Sequence, residues 1–324
     1  MLRLYDTRRR AIAPVRARGR RFTMYVCGVT PYDTTHLGHA RTFLTFDVIA
    51  RLLEATGHPV RYVQNVTDID ESILQRAARD HVGWRELGRR EERAYLADMR
   101  KLGWRKPDVI CHATMELPAM FALIRALGRR KAAYVLPRGV YFPVGADPRY
   151  GQLSRLPPAA MRRILAGQDD AELEDSGRRD PRDFALWRFV DDGPTWAHVA
   201  PMQLGGKKMS KSDGNMVFVR DALKTTDPRA LRLYLLDRHY RKPFDHDEAL
   251  LDRARLRQKA LADALGRAPI GPIGRDRDSR AALAALENDL DVPRAVRIIE
   301  RSAPGADAAT RASLHAVARI VGVA

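Results

Sequence analysis

MYVCGVTPYDTTHLGHAR, Met24 to Arg41, is the stretch from which the rest of the chain can be read. Met24-Tyr25-Val26-Cys27 is a short apolar run that reads as a buried strand, and Gly28, Thr30, Pro31 and Asp33 break it. His36-Leu37-Gly38-His39 then leads into Ala40 to Ile49, whose apolar residues recur at helical spacing. A strand, a loop and a helix start in that order make an anion site. Free backbone N–H groups and the positive end of the helix dipole face one point. His36 and His39 add side-chain donors on either side of Gly38, which lets a ligand approach closely. This suits a polyphosphate whose charge changes during a reaction.

A second stretch lies far downstream: Lys207-Lys208-Met209-Ser210-Lys211-Ser212-Asp213-Gly214-Asn215. Its three lysines and two serines can hold a phosphate chain with charge-assisted bonds. Taken singly, each stretch has a plainer explanation. A His-x-x-His pair is often a satisfied core or surface pair, and a lysine–serine loop is ordinarily just solvated. Together, in this order and separation, the two resemble the HIGH and KMSKS signatures of class I aminoacyl-tRNA synthetases.

The resemblance is closer than that. CGVTPYDTTHLGHARTFLTFDV, VRYVQNVTDIDESIL (Val60 to Leu74) and WRELGRREERAYLADMRKL (Trp84 to Leu102) are similar to cysteinyl-tRNA synthetases. They are more similar still to the related cysteine ligase of mycothiol biosynthesis, which joins cysteine to a glucosaminyl-inositol. The Thr30-Pro31-Tyr32-Asp33 form leans toward the latter. The resemblance implies an α/β fold with a nucleotide-binding parallel sheet of the class I synthetase (HUP) type, shortened, with a connective insertion and a C-terminal helical domain. The division expected is 1–130 for the first half of the nucleotide fold and 131–187 for the insertion. Residues 188–206 would be a remnant of the second half, 207–245 the lysine loop with a small linking domain, and 246–324 a helical bundle.

Residues 23–75 read as a βαβ unit: a strand from Thr23 to Cys27, a helix from about Gly38 to Thr56, and a strand from Val60 to Val66. Ligands bind at the carboxyl ends of such strands, so Cys27–Thr30 and Asn65–Asp68 should face one crevice. By resemblance that crevice holds an aminoacyl-adenylate, lined by Cys27, Gly28, Thr30, Gly38, Thr42, Asn65 and Thr67, with Asp68 a further candidate. Asn65, Thr67 and Asp68 also fit a cap for the next helix, and both readings can hold together. Helices are expected at Asp70–Asp80, Trp84–Leu102, Met115–Arg129, Asp247–Leu265, Ser279–Asp289, Val292–Ser302 and Asp307–Val321. Another begins at Asp227 as cap with Pro228 in its first turn. Residues 1–22 read as a strand or arm followed by a basic loop. Val109 to His112 reads as a third strand. Cys111-His112 is better taken as structural than metal-binding, since adjacent ligands are uncommon and no partner pair follows.

Between Arg188 and Lys208 the chain departs from the family, which has a long stretch there with a Trp-His-x-Glu-Cys segment, an apolar strand and a His-His-Glu helix start. This chain has only Phe189 to Lys207. Trp196-Ala197-His198-Val199 is either a remnant of the Trp-His segment or aligns with the strand before the lysine loop, and its spacing to Lys208 favours the second. In the family, zinc is held by the equivalent of Cys27 with a later Cys and His. One cysteine does not hold zinc, so zinc is not expected and no metal ligands are assigned. Cys27 then reads as a buried apolar residue or a pocket wall. The shortening should also remove a central strand and part of the adenine and ribose pocket. Either Val199–Leu204 moves into the vacant sheet position or the first strand keeps an open edge.

At 324 residues and 45% hydrophobic, the chain is long enough for one large or two medium domains. It shows no run of membrane-spanning length and no signal peptide, and its two cysteines fit a reducing cytoplasm. The net charge of +17 rests on 57 basic residues, of which nine are lysine. It fits a footprint for tRNA or another polyanion as well as it fits a solvated Arg-rich surface. By resemblance, the chain stops where a cysteinyl-tRNA synthetase continues into an anticodon-binding module, which argues against ordinary tRNA charging.

The resemblance implies carboxylate activation by ATP with Mg²⁺, then transfer to an amine or tRNA acceptor. His36 and His39 would meet the phosphates, and Lys208 and Lys211 the β/γ end, with Ser210 and Ser212 in the same loop. The expected substrate is a non-cysteine or unspecified amino acid, because the metal that reads a thiol is missing. The competing reading is an impaired paralogue, a nucleotide- or RNA-binding module or a subunit that needs a partner protein. The missing strand favours it, and retention of both phosphate signatures disfavours it.

Overall fold

The computed structural model describes residues 1–17, 19–33, 35–166, 177–188, 202–204, 207–208, 216–266 and 268–324. The chain opens with a hairpin, β1 (Arg3–Asp6) antiparallel to β2 (Ala11–Pro14). Arg8, Arg9 and Arg10, expected in a basic loop, form its turn. The turn closes through the Arg10 N–H on the Asp6 carbonyl at 2.7 Å.

The parallel unit follows: β3 (Phe22–Val29), α1 (Leu37–Ala55), β4 (Val60–Val66), α2 (Glu71–Arg79), α3 (Trp84–Lys101) and β5 (Val109–His112). The strands lie in the order β3-β4-β5, all parallel. Alternation along the strands sends Val26, Tyr62, Gln64 and Val66 into the core. There the Tyr62 hydroxyl donates to Gln64 Oε1 at 2.9 Å, and Gln64 Nε2 donates to the Tyr95 hydroxyl of α3 at 2.9 Å. A buried amide is thus satisfied between two aromatic rings.

Next come α4 (Ala113–Arg129), β6 (Tyr134–Leu136), β7 (Gly139–Phe142), α5 (Pro158–Ala166) and β8 (Phe184–Arg188). β8 pairs antiparallel with β7 in a separate sheet, β6-β7-β8. A third sheet joins β9 (Met202–Leu204), antiparallel β10 (Lys207–Lys208) and β11 (Phe244–Asp245), which runs parallel to β9. Met202–Leu204 therefore does not fill the place beside β3, which is an edge strand among the described residues.

The remaining helices are α6 (Val219–Thr225), α7 (Pro228–Leu236), α8 (Glu248–Leu265), α9 (Arg277–Glu287), α10 (Val292–Ser302) and α11 (Ala308–Val321). Each of α7 to α11 starts at an aspartate whose side chain accepts first-turn N–H groups: Asp227, Asp247, Asp276, Asp291 and Asp307. No described helix is long and apolar enough to cross a membrane.

α1 is the axis of the main core. Phe43, Leu44, Val48 and Leu52 share one buried cluster with Leu231 and Leu235 of α7 and with Leu314 and Val317 of α11. Within it lies an ion pair between Asp47 of α1, 0% exposed, and Arg232 of α7, 1% exposed. Arg232 also donates to the carbonyls of Val321 at 2.5 Å and Leu102 at 3.2 Å. Gly322 follows with φ +76°, and a β-carbon there would lie 2.5 Å from Arg232 Nε, so the chain end needs glycine. A second tie centres on Asp289. Its N–H donates to the Arg3 carbonyl at 2.8 Å, and its carboxylate accepts from the Tyr240 hydroxyl at 2.7 Å and pairs with Arg241.

Candidate functional site

The carboxyl ends of β3 and β4 are slightly out of step, with a register shift between Val26 and Val29. Gly28 sits in that shift and donates its N–H to Asn65 Oδ1 at 2.7 Å. A β-carbon on Gly28 would fall 1.5 Å from the Asn65 carbonyl oxygen, so no larger residue fits the approach. Asn65 Oδ1 also accepts from the Tyr25 hydroxyl at 3.0 Å, and Asn65 Nδ2 donates to Thr67 Oγ1 at 3.2 Å. The Tyr25 phenol is held above its ordinary range by partial burial and then by nearby Cys27 and Cys111, which keeps it a donor. The Thr67 N–H closes the seam on the Val29 carbonyl at 2.9 Å. Asn65 therefore ties Gly28 and Thr67 together, and Thr30 continues from there half-buried.

The loop from Thr30 is clamped to α2. Tyr32 packs on Ile73, Ala77 and Leu87, and Asp33 forms an ion pair with Arg76. The chain then enters α1 at His36, the extended N-cap. His36 Nδ1 accepts from the His39 N–H at 3.4 Å, and the two rings stack with centroids 3.8 Å apart. Thr42 turns its hydroxyl back to the Gly38 carbonyl at 3.1 Å.

The segment just after the lysine loop lies against this helix start. The Leu37 N–H donates to the Val217 carbonyl at 2.9 Å, and the Val219 N–H donates to the Thr35 carbonyl at 3.0 Å. His36 thereby pairs antiparallel with Phe218. Two of the N–H groups that a helix start leaves open are spent inside the chain, Leu37 on Val217 and His39 on His36. The expected row of free N–H groups is thus partly used up. The helix dipole remains to meet an anion. No local pattern marks Val217–Val219 as part of the site, because its partner lies far away in sequence.

The other expected residues fall as follows. Lys208 lies on β10, whose backbone is described, whereas Ser210, Lys211 and Ser212 lie outside the described residues. Asp68 spends both carboxylate oxygens on the start of α4, taking the Thr114 N–H at 2.9 Å and the Thr114 hydroxyl. It does cap a helix, but not the next one. α2 is capped by Asp70, which accepts from the Ser72 N–H at 2.9 Å. Cys27 is exposed, not buried, because Val26 takes the core-facing turn of the alternation and Cys27 the opposite one. Cys111 pairs across from Asn65 on β4, and His112 Nε2 meets Glu92 at 3.0 Å. Among the described residues no group of three or more His, Cys, Asp or Glu could share a metal.

Arg41 was not singled out by sequence, yet it is the next polar residue along the helix start. Its Nη2 donates to the carbonyls of His239 at 3.1 Å and Lys242 at 3.0 Å, and its guanidinium lies 5.3 Å from the Phe244 ring centroid. Burial, then the charge of Arg238, bring its pKa down to about 10.

Residues 14–198 and 190–256 match the model of the tRNA synthetases class I (C) catalytic domain. The matched pieces meet at 190–198, within the segment where the sequence departs from the family. Among curated relatives is the L-cysteine:1D-myo-inositol 2-amino-2-deoxy-alpha-D-glucopyranoside ligase of Kytococcus sedentarius. It is 33% identical over 383 residues, covering 92% of this chain and 87% of the relative. The ligase of the same name from Nocardia farcinica is 35% identical over 368 residues, covering 92% and 88%. Both alignments are longer than this 324-residue chain, so these relatives carry stretches without a counterpart here. Among solved structures, Mycobacterium tuberculosis methionyl-tRNA synthetase in complex with methionyl-adenylate overlays with a TM-score of 0.52. The identity is 15%, over 93% of this chain and 90% of that one, which is a likeness of fold. The parallel sheet, the match over residues 14–256 and the relatives above 30% identity agree: the chain belongs to the class I (C) tRNA synthetase catalytic-domain family and is an ATP-dependent ligase of it.

Proposed function

We propose that the chain activates an amino acid carboxylate with ATP and passes the acyl group to an amine. A carboxylate oxygen attacks the α-phosphorus in line, the bond to the β-phosphate oxygen breaks, and pyrophosphate leaves with its charge. The amine then attacks the acyl carbon, gives up a proton, and AMP leaves. In this reading Gly28, Thr30, Asn65 and Thr67 line the adenylate crevice, with Gly38 and Thr42 at its helix side. His36 and His39 donate to the phosphates, and Lys208 and Lys211 take the β/γ end, with Ser210 and Ser212 beside them. Mg²⁺ accompanies ATP as its ordinary counter-ion. No step is routed through zinc, and Asp68 has no role beyond holding α4.

The observation that carries this reading is the bonding of Thr35–Leu37 to Val217–Val219, which ties the histidine helix start to the chain leaving the lysine loop. Positioning of this kind is most of what adenylate formation asks of a protein. The relatives' names make cysteine and an amino sugar on inositol the first substrates to try. The edge position of β3 among the described residues supports the second reading, a binding paralogue that needs a partner protein or an RNA.

ATP–pyrophosphate exchange with each amino acid in turn tests the proposal. Exchange with one amino acid is expected, reduced about 100- to 1,000-fold by His39→Ala. Folded protein that exchanges with none would leave the binding paralogue.

A further inference from the structure

The histidines and lysines of the proposed site are far apart in the chain, so something must hold Lys208 at a set distance from α1. Val217–Val219 fixes the chain after the lysine loop, but among the described residues no backbone hydrogen bond joins it to the strand that carries Lys208. That strand, β10, pairs Lys208 with Gln203 of β9, and Gln203 pairs in turn with Asp245 of β11. The residue before Asp245 is Phe244, which is 3% exposed and packs on the Tyr234 ring with centroids 4.9 Å apart. Arg41 lies against that same ring, 5.3 Å from its centroid. From α1 to the backbone of Lys208 the path is therefore one guanidinium–ring contact and two strand spacings of about 4.8 Å each.

Arg41 is held at its other side too. Its two close acceptors, the carbonyls of His239 and Lys242, belong to the turn between α7 and β11. That turn is anchored independently: His239 Nε2 bonds the Asp289 carbonyl at 2.9 Å, and the Tyr240 hydroxyl bonds the Asp289 carboxylate. No carboxylate pairs with Arg41 among the described residues. Its Nη2 is spent on main-chain carbonyls and its plane lies against a ring, the kind of contact that sets a distance.

Resting on the proposed adenylating reaction, we propose that Arg41 is a positioning residue. It holds the β11-β9-β10 sheet against the start of α1, and so places Lys208 to take the leaving pyrophosphate end of an ATP whose α-phosphate meets His36 and His39.

The first test needs no activity. Amide hydrogen exchange is measured on the ligand-free chain for peptides covering Met202–Leu204 and Lys207–Lys208. Arg41→Ala should speed exchange there at least tenfold and leave the peptides of α3 and α11 unchanged. Unchanged rates at 202–208 would overturn the proposal, and so would a rise spread evenly over the chain. The second test is a double-mutant cycle on pyrophosphate exchange. Arg41→Ala should lower the rate at saturating ATP and amino acid about 100-fold, with the amino acid KM near that of the parent. Adding Lys208→Ala should then cost little more, because a residue acting through another is not additive with it. Arg41→Lys keeps the charge but loses the planar fork, so it should stay impaired. Full rescue by lysine, or additive losses, would overturn the positioning role. A parent chain with no exchange would sink the reaction itself, and the hydrogen-exchange result would still decide what Arg41 does.

Discussion

On one face of the β3-β4-β5 sheet, Val26, Tyr62, Gln64 and Val66 are sealed beneath α1 and α3, and the polar atoms of Gln64 and Tyr62 bond each other and Tyr95. On the other face Tyr25 is 64% exposed, Cys27 is exposed, and Asn65 and Cys111 are half-buried. Parallel sheets are ordinarily covered on both sides, so this difference is unusual. It separates two tasks. The sealed face holds the fold, and the seam between the faces, at Gly28 and Asn65, carries the adenylate crevice proposed here. The helix start at His36–His39 is tied by backbone bonds to Val217–Val219.

The comparison breaks most readily at the sealed side. Arg232→Ala would leave Asp47 buried without its main partner and should cost about 3–5 kcal/mol of stability, read as a lower denaturant midpoint. A loss under about 1 kcal/mol would mean that Arg51 and the Arg105 N–H already satisfy Asp47. At the seam, Gly28→Ala forces a methyl onto the Asn65 carbonyl, so β3 and β4 must part. About 1–3 kcal/mol of stability and nearly all pyrophosphate exchange should go together. Exchange that survives intact would place the crevice elsewhere. On the open face, Cys27→Ser should change stability by no more than about 0.5 kcal/mol, because the residue is exposed. If metal analysis found zinc in the parent and none in Cys27→Ser, Cys27 would be a ligand after all.

Much of the frame was legible because it is set by neighbours in sequence. β4, β5 and α10 begin and end where their alternation, helical spacing and cap said they would. Asp227, Asp247 and Asp307 were legible as helix starts for the same reason, since the donors they satisfy are two or three residues on. Asp68 was only half legible. Its chemistry said cap, but its helix, α4, lies across the sheet and not next in the chain.

The sequence by itself determined the family, the βαβ unit, the phosphate-type residues and the helical C-terminal part, because motifs and periodicity are local and survive in a linear string. Tertiary structure alone decided the rest. It put Val217–Val219 on Thr35–Leu37, Phe244 under Arg41, β9 beside β11 with β3 left at the edge, β8 in the insertion's sheet, and Cys27 in the open. Each of these is a pairing between residues distant in sequence. Such a pairing is chosen by which strand edges and ring faces meet once the core has closed, and no residue records its partner in its own neighbourhood.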